Sequence, residues 1–458
     1  MTILVIPWFG CNMRCAYCFA RTHTHVPQKI PNINFSKIEE QLRKLIGNNK
    51  GRDVCLHGGE PLALPKYLLE AFFKMLYEVN GRSAIQTNLY NLDDDHIRMF
   101  KRYNVSIGAS IDGPPELNIL RGFPEEPEKQ KVYLKRVYEN LDKLVSEKIS
   151  VSIISVLHKV NAGTKEARER MKKWFLELAD KGIRCGRTNP LFDPFESAHV
   201  VKWRLTPEEL AEAWVDFFRF FRDYPDLHWS PYRDVIDVLL GQSVSVCVFG
   251  KCDIFASKAA IAIYPDGSLG VCDRYYGIGI IRRQDPPLNV RYEILPKTEC
   301  RGCKYWKVCR GGCPLEAPFG EWRRKTYFCK AYYALFEEAE RYLKALMPNI
   351  VLAHEVPYDW LERGHNPFLG ILHIKSAWRA SHKRFEPYKS CVQQPKYLPQ
   401  TGIPHGDRGH GDWTNHGDSC SPVPLLKRPE PKSYEHTDGS VRHSDRPHGD
   451  WHNHGDSG

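Results

Sequence analysis

Cys11-Asn12-Met13-Arg14-Cys15-Ala16-Tyr17-Cys18 follows directly on the apolar run at residues 3–9. Three thiols on one short loop can ligate three irons of a four-iron–four-sulfur cluster and leave the fourth iron without a protein ligand. Cluster ligation by thiolates needs short, fixed spacings of this kind. An iron with an open position can take a substrate or cofactor, by the logic that separates catalytic from structural zinc sites. Taken alone, the loop also fits a zinc site or a chance grouping in a Cys-rich chain.

The totals frame that reading. A chain of 458 residues has room for two or three domains. No stretch approaches the roughly 18–20 apolar residues of a membrane span. The first apolar run is too short for a signal peptide and lacks a basic start, so a cytoplasmic protein with no membrane partner is expected. Fifteen cysteines without an export signal do not suggest a disulfide framework, and eleven of them fall in two regions with ligand-like spacing. A formal charge of +10 could favour nucleic acid or an acidic peptide. No dense basic run accompanies it, so the charge reads as a solvated surface and nucleic acid is not expected as a partner.

Along the first half, short apolar runs alternate with amphipathic segments, the pattern of β/α units around a parallel sheet. Strands are expected at 3–7, 53–57, 84–86, 106–110, 150–157 and 184–188, and helices at 36–46, 65–79, 94–102, 129–147 and 165–181. Each strand runs into a polar or Gly-rich loop at its C-terminal end, the rim that carries chemistry in βα barrels. Six such units before residue 190 predict an open, partial barrel within residues 1–235. A helix at 207–224 leads to a second Cys region, assigned to a small domain at 236–345. Residues 346–399 are mixed in character. From 400 to 458 the chain is rich in Gly, Pro, His, Asp and Ser, a composition that cannot bury a core, and disorder is expected. That tail repeats itself: His410-Gly-Asp-Trp-Thr-Asn-His-Gly-Asp-Ser419 recurs at 448–457 with His452 in place of Thr414. It could be a tethered substrate, a His-rich metal site or an inert repeat.

Several motifs stand at the strand ends. His57-Gly58-Gly59-Glu60-Pro61 follows the second strand. Glycines let a backbone approach a ligand closely, and Glu60 adds a carboxylate for an amino group, although a plain βα turn would look similar. Gln86-Thr87-Asn88 follows the third strand and Ser110-Ile111-Asp112 the fourth. Ser110 and Asp112 alternate on an extended segment and share one face there. Together with the Cys loop, these motifs resemble the signature of radical S-adenosylmethionine (SAM) enzymes. The resemblance implies that Cys11, Cys15 and Cys18 hold a four-iron cluster. Gly58, Gly59 and Glu60 would hold the methionine amino group, and Ser110 and Asp112 the ribose or methionine end. Tyr17 and Arg121 would also meet the cofactor, Arg121 through its carboxylate; a surface arginine is the alternative for Arg121. In that family an electron from the cluster cleaves SAM, and the 5′-deoxyadenosyl radical removes a hydrogen from the substrate.

The second Cys region reads Cys247, Cys252, Cys272, Cys300, Cys303, Cys309, Cys313 and Cys329. Cys-x2-Cys pairs also suit a zinc ribbon. The order, with Pro265-Asp266-Gly267 and Gly311-Gly312-Cys313-Pro314, resembles the SPASM extension of peptide-modifying radical enzymes. This implies two auxiliary clusters, one on Cys247, Cys252, Cys272 and Cys313, the other on Cys300, Cys303, Cys309 and Cys329. Asp273 matches a carboxylate proposed as the base in sulfatase-maturating relatives. The expectation is therefore a partial (β/α)6 TIM-like barrel, a SPASM domain and a disordered tail. Its expected activity is oxidation of a peptide or protein side chain, by crosslinking or formylglycine formation, with a reductant such as flavodoxin or ferredoxin. A non-catalytic iron–sulfur electron-transfer or scaffold protein, or an RNA-modifying radical enzyme, are the alternatives.

Overall fold

The computed structural model describes residues 2–18, 29–193, 196–242, 249, 252, 259–274 and 290–356. Strands β1 (Thr2–Val5), β2 (Val54–Leu56), β3 (Ser83–Thr87), β4 (Val105–Ser110), β5 (Val151–Leu157) and β6 (Cys185–Pro190) lie within two residues of the expected ends. Three short strands join them: β7 (His228–Ser230), β8 (Ala260–Ile263) and β9 (Leu269–Gly270). All nine form one sheet in the order β7-β6-β5-β4-β3-β2-β1-β8-β9. Every pairing is parallel except that of β8 with β9. The sheet is open, so this is an unclosed α/β barrel.

Helices α1 (Phe35–Ile46), α2 (Lys66–Asn80), α3 (Asp94–Arg102), α4 (Pro127–Ser146) and α5 (Lys165–Asp180) follow successive strands. Their apolar stripes meet the buried, alternate residues of the strands. Ile3, Val5, Leu56, Ile85, Ile107 and Ile153 share one core with Leu42, Phe72, Phe73, Phe100, Val137 and Phe175. Local chemistry starts the helices. Asp93 accepts from the backbone of Asp95 and His96 at the head of α3. Thr206 and Glu209 cap each other's backbone before α6 (Pro207–Arg222), which has Pro at its first position.

Beyond residue 235 the chain returns to the far side of β1. There β8 pairs with β1 in register Ile3↔Ile261. The Pro265-Asp266-Gly267 turn reverses it into β9, with the Asp266 carboxylate accepting from Ser268 N at 2.9 Å and Ser268 Oγ at 2.6 Å. After α7 (Tyr232–Leu239), the last described helix, α8 (Cys329–Leu346), lies against α6. Trp214 and Tyr332 meet edge-to-face at 5.1 Å, and Arg219 donates to both oxygens of the buried Glu338 at 2.9 and 3.0 Å. Residues 357–458, with the expected disordered repeat, lie outside the described residues. No helix among the described residues is long and apolar enough to cross a membrane.

Phe175 is fully buried, with the rings of Trp229, Phe221 and Phe217 at 4.4, 5.0 and 5.7 Å. Phe175→Ala is expected to cost about 3–5 kcal/mol, read as a lower urea midpoint of the metal-free protein. A loss well under 1 kcal/mol would show that this aromatic cluster does not hold α5 and α6 to the sheet.

Candidate metal and cofactor site

At the end of β1 the chain enters the cysteine loop on the C-terminal rim of the sheet. Gly59 N donates to the Trp8 carbonyl at 3.1 Å and Glu60 N to the Gly10 carbonyl at 2.9 Å. A Cβ on Gly59 would stand 2.0 Å from the Gly10 carbonyl oxygen, so only glycine allows this approach. The Gly58-Gly59 pair thus anchors the residues that lead into Cys11. On the other side, Arg14 N and Ala16 N donate to the carbonyls of Gly122 and Leu120 at 2.8 Å each. Gly122 N reaches Cys15 Sγ at 3.4 Å, and Asn88 Nδ2 reaches Asn12 Oδ1 at 2.9 Å and Cys11 Sγ at 3.9 Å.

Cys11, Cys15 and Cys18 are all free thiols. Burial pushes the Cys15 thiol up to about 11, with Arg121 opposing the shift and Cys18 adding to it. Such a group is unfavourable as bare thiolates and suited to a cation that displaces the protons. Three donors from one loop fit a cluster with one iron left open.

Beside the loop, Glu60 is only 2 % exposed and its carboxylate accepts from Thr87 Oγ1 at 2.6 Å, Asn88 N at 2.7 Å and Leu62 N at 2.9 Å. Burial still lifts its carboxyl to about 7. Ser110 and Asp112 make different contacts. Ser110 Oγ accepts from Gln86 Nε2 at 2.6 Å. Asp112 is fully buried beyond the end of β4, where it accepts from the Tyr17 hydroxyl and from Val156 N at 2.8 Å and forms an ion pair with Arg121, whose Nε lies 3.0 Å away. Burial alone would raise the Asp112 carboxyl, but Arg121, His158 and Tyr17 outweigh it and hold it at about 2. The fold therefore gathers Tyr17, Asp112 and Arg121 into one buried group.

Two histidines have no assigned role in the sequence reading. His158, fully buried after β5, has Nε2 3.7 Å from Asp112 Oδ2 and its ring 5.8 Å from that of Tyr17. His57, at the end of β2, has Nδ1 3.7 Å from Asp273 Oδ2. The second contact sets Asp273 beside the Gly58-Gly59 turn. Both histidines follow apolar strand runs directly, which was the one available clue.

The later cysteines form two groups. Cys313 packs with Val271 and Leu315, and Cys252 and Cys272 pack against them; Cys247 lies outside the described residues. Cys300, Cys303, Cys309 and Cys329 form the other, close enough that their charges act on one another. Burial, then the Cys329 thiolate, pushes Cys309 up to about 12, and the same two causes raise Cys300 to about 11. Four crowded thiols fit a metal centre better than they fit a packed apolar core.

Residues 5–171 match the family model for the Radical SAM superfamily. The chain carries a radical SAM domain. It is an enzyme of the radical SAM oxidoreductase class, and its domain uses SAM and a four-iron–four-sulfur cluster. The cysteine-type anaerobic sulfatase-maturating enzyme of Clostridium novyi is 25% identical over 362 residues, covering 72% of this chain and 92% of that protein. The serine-type enzyme of Bacteroides thetaiotaomicron is 24% identical over 398 residues, covering 74% and 89%. Among solved structures, native anSMEcpe with bound AdoMet and Cp18Cys peptide shares the fold with a TM-score of 0.59 at 21% identity, covering 76% of this chain and 99% of that one.

Within the radical SAM domain, Asp112 and Arg121 form a buried ion pair on the rim. Asp112→Asn leaves the Arg121 charge without its partner and is expected to cost about 3–5 kcal/mol of stability, measured by urea unfolding of the metal-free protein. The Asp112 contribution is present above its unfolded value of 3.8 and is lost as pH falls through about 2. A variant as stable as the parent at pH 7 would refute the pairing.

Proposed function

We propose that this radical SAM enzyme oxidises a side chain of a peptide or protein. Residues 1–235 would bind SAM and substrate, and residues 236–345 would hold two auxiliary four-iron clusters. The observation that carries this reading is the position of Asp273. It adjoins Cys272 of one auxiliary group and faces His57 on the cofactor rim. A carboxylate there can accept the proton that leaves a substrate once a hydrogen atom has been removed, and metal beside it can accept the accompanying electron. The sequence relatives, named as sulfatase-maturating enzymes, and the solved relative with a bound peptide favour a peptide or protein over RNA.

When bound, the cluster and SAM supply the radical that removes a substrate hydrogen. The chain's own groups do the rest. Cys11, Cys15 and Cys18 fix the cluster and leave one iron open. Gly58, Gly59 and Glu60 receive the methionine amino group, Ser110 and Asp112 the ribose side, with Tyr17 and Arg121 beside them. Cys247, Cys252, Cys272 and Cys313, and separately Cys300, Cys303, Cys309 and Cys329, hold the auxiliary clusters. A flavodoxin or ferredoxin would deliver the electrons. Of the two branches, the names of the relatives favour formylglycine formation from Cys or Ser over crosslinking.

Reduced, iron-loaded protein is expected to convert SAM to 5′-deoxyadenosine and to remove hydrogen from a Cys- or Ser-containing sulfatase peptide, seen by mass spectrometry. Asp273→Asn should lower peptide oxidation by at least about 100-fold while 5′-deoxyadenosine release continues. Equal losses of both products would remove Asp273 from the base role.

Glu60 adds a pH test. Below about 7 its buried carboxyl is protonated and offers no charge to an amino group. The advantage of the parent over Glu60→Gln in SAM affinity should therefore grow as pH rises through about 7 and level off above it. Equilibrium dialysis of the iron-loaded protein from pH 6 to 8.5 reads this directly, and a pH-independent ratio would exclude Glu60 as the amino-group partner.

A further inference from the structure

Arg291 holds a charge that the proposed reaction leaves unused. It is 4% exposed, at the start of the segment Val290–Ile294. Its guanidinium donates to three backbone carbonyls: Nη1 to Gly312 at 3.0 Å, and Nη2 to Gly311 and Arg324 at 3.0 Å each. Nε is buried without a hydrogen-bond partner. Among the described residues, no carboxylate lies within ion-pair distance of it. The nearby buried Glu316 lies beyond that distance but feels the charge of Arg274 and, less strongly, of Arg291, while its carboxylate accepts from Thr326 Oγ1 at 2.8 Å and the Tyr332 hydroxyl at 3.1 Å.

Carbonyl dipoles orient a guanidinium but do not cancel its charge, and arginine cannot escape by losing a proton. A buried charge without an opposite one is costly enough that some anion is called for. The contacts of Arg291 indicate which. Gly311-Gly312 is the bridge between Cys309 of one thiol group and Cys313 of the other. Arg324 leads through Thr326 to Cys329. Both bridge glycines have positive φ, +80° and +68°. A Cβ on Gly311 would stand 2.5 Å from Leu295 Cδ1 and 3.2 Å from Arg291 Nη2, so the bridge is cut back to admit this side chain.

We propose that Arg291 is a buried counter-cation of the auxiliary iron–sulfur clusters, beside Arg274 at the Cys272 and Cys313 group, and that its charge raises their reduction potentials. A cluster held by four thiolates carries net negative charge, and each added electron deepens it. A fixed cation alongside favours the reduced form, since net charge and hydrogen bonding set cluster potentials. The inference rests on the auxiliary-cluster assignment of the proposed function.

The test uses the full chain loaded with iron and sulfide, with iron content measured and redox titration followed by electron paramagnetic resonance. Arg291→Met is expected to shift at least one auxiliary potential to more negative values and leave the cluster of Cys11, Cys15 and Cys18 unmoved. Arg291→Lys, which keeps the charge, should restore most of that shift. Iron-replete Arg291→Met with unshifted auxiliary potentials overturns the inference. If Arg291→Met loses auxiliary iron, Arg291→Lys decides. Retained iron near the parent potential supports the charge, whereas equal loss assigns Arg291 to holding carbonyls and overturns it. A parent protein with iron for a single cluster overturns the auxiliary assignment as well as this inference. Full parent iron with an unmoved Arg291→Met potential overturns the inference alone.

Discussion

Strand β1 is hydrogen-bonded along both edges, to β2 in register Ile3↔Val54 and to β8 in register Ile3↔Ile261. A one-residue slip would turn Ile3 and Val5 out of the core, so burial fixes the register as firmly as the hydrogen bonds do. The strand therefore delivers the following residues to one point on the rim. Five residues separate Val5 from Cys11, and the backbone contacts of Gly59 and Glu60 with Trp8 and Gly10 remove most of the freedom that remains. A loop that must present three thiols to one metal centre gains from this preorganisation, because ordering it on binding would oppose the metal affinity.

The rim itself is unusual in how little of its charge faces water. Asp112, Arg121 and His158 sit together with Tyr17 beneath the loop, and Glu60 sits opposite with every oxygen hydrogen-bonded. Buried ion pairs return little net stability because desolvation offsets their attraction. Their value here is directional. The pair fixes the Tyr17 ring beside Cys18 and the turn of residues 118–122, which in turn receives Arg14 and Ala16.

What the sequence made legible was local. The six β/α units could be read because each strand is an apolar run and each helix carries an apolar stripe. Asp93 and Thr206 mark two helix starts to the residue. The strand β8 was not readable, since Ala-Ile-Ala-Ile is too short for periodicity to separate strand from helix. Helix α8 begins at Phe328 and Cys329 with no side-chain cap to announce it. The site divides in the same way. Cysteine spacings are short-range and were visible at once. The Tyr17–Asp112 bond joins residues 95 apart in sequence, and the contacts of His57 with Asp273 and of Arg291 with the glycine bridge depend on tertiary folding.

Helix α8 opens on Cys329 and is fastened along its length to α6 of the barrel. Trp214 meets Tyr332, Phe218 meets Tyr342, and Arg219 grips Glu338 through both oxygens. Among the described residues, these contacts tie the Cys329 end of the cysteine-rich region to the barrel. Any electron passing between metal centres in the two regions would cross a gap spanned by packed helices, at a rate governed by distance, driving force and reorganisation energy together.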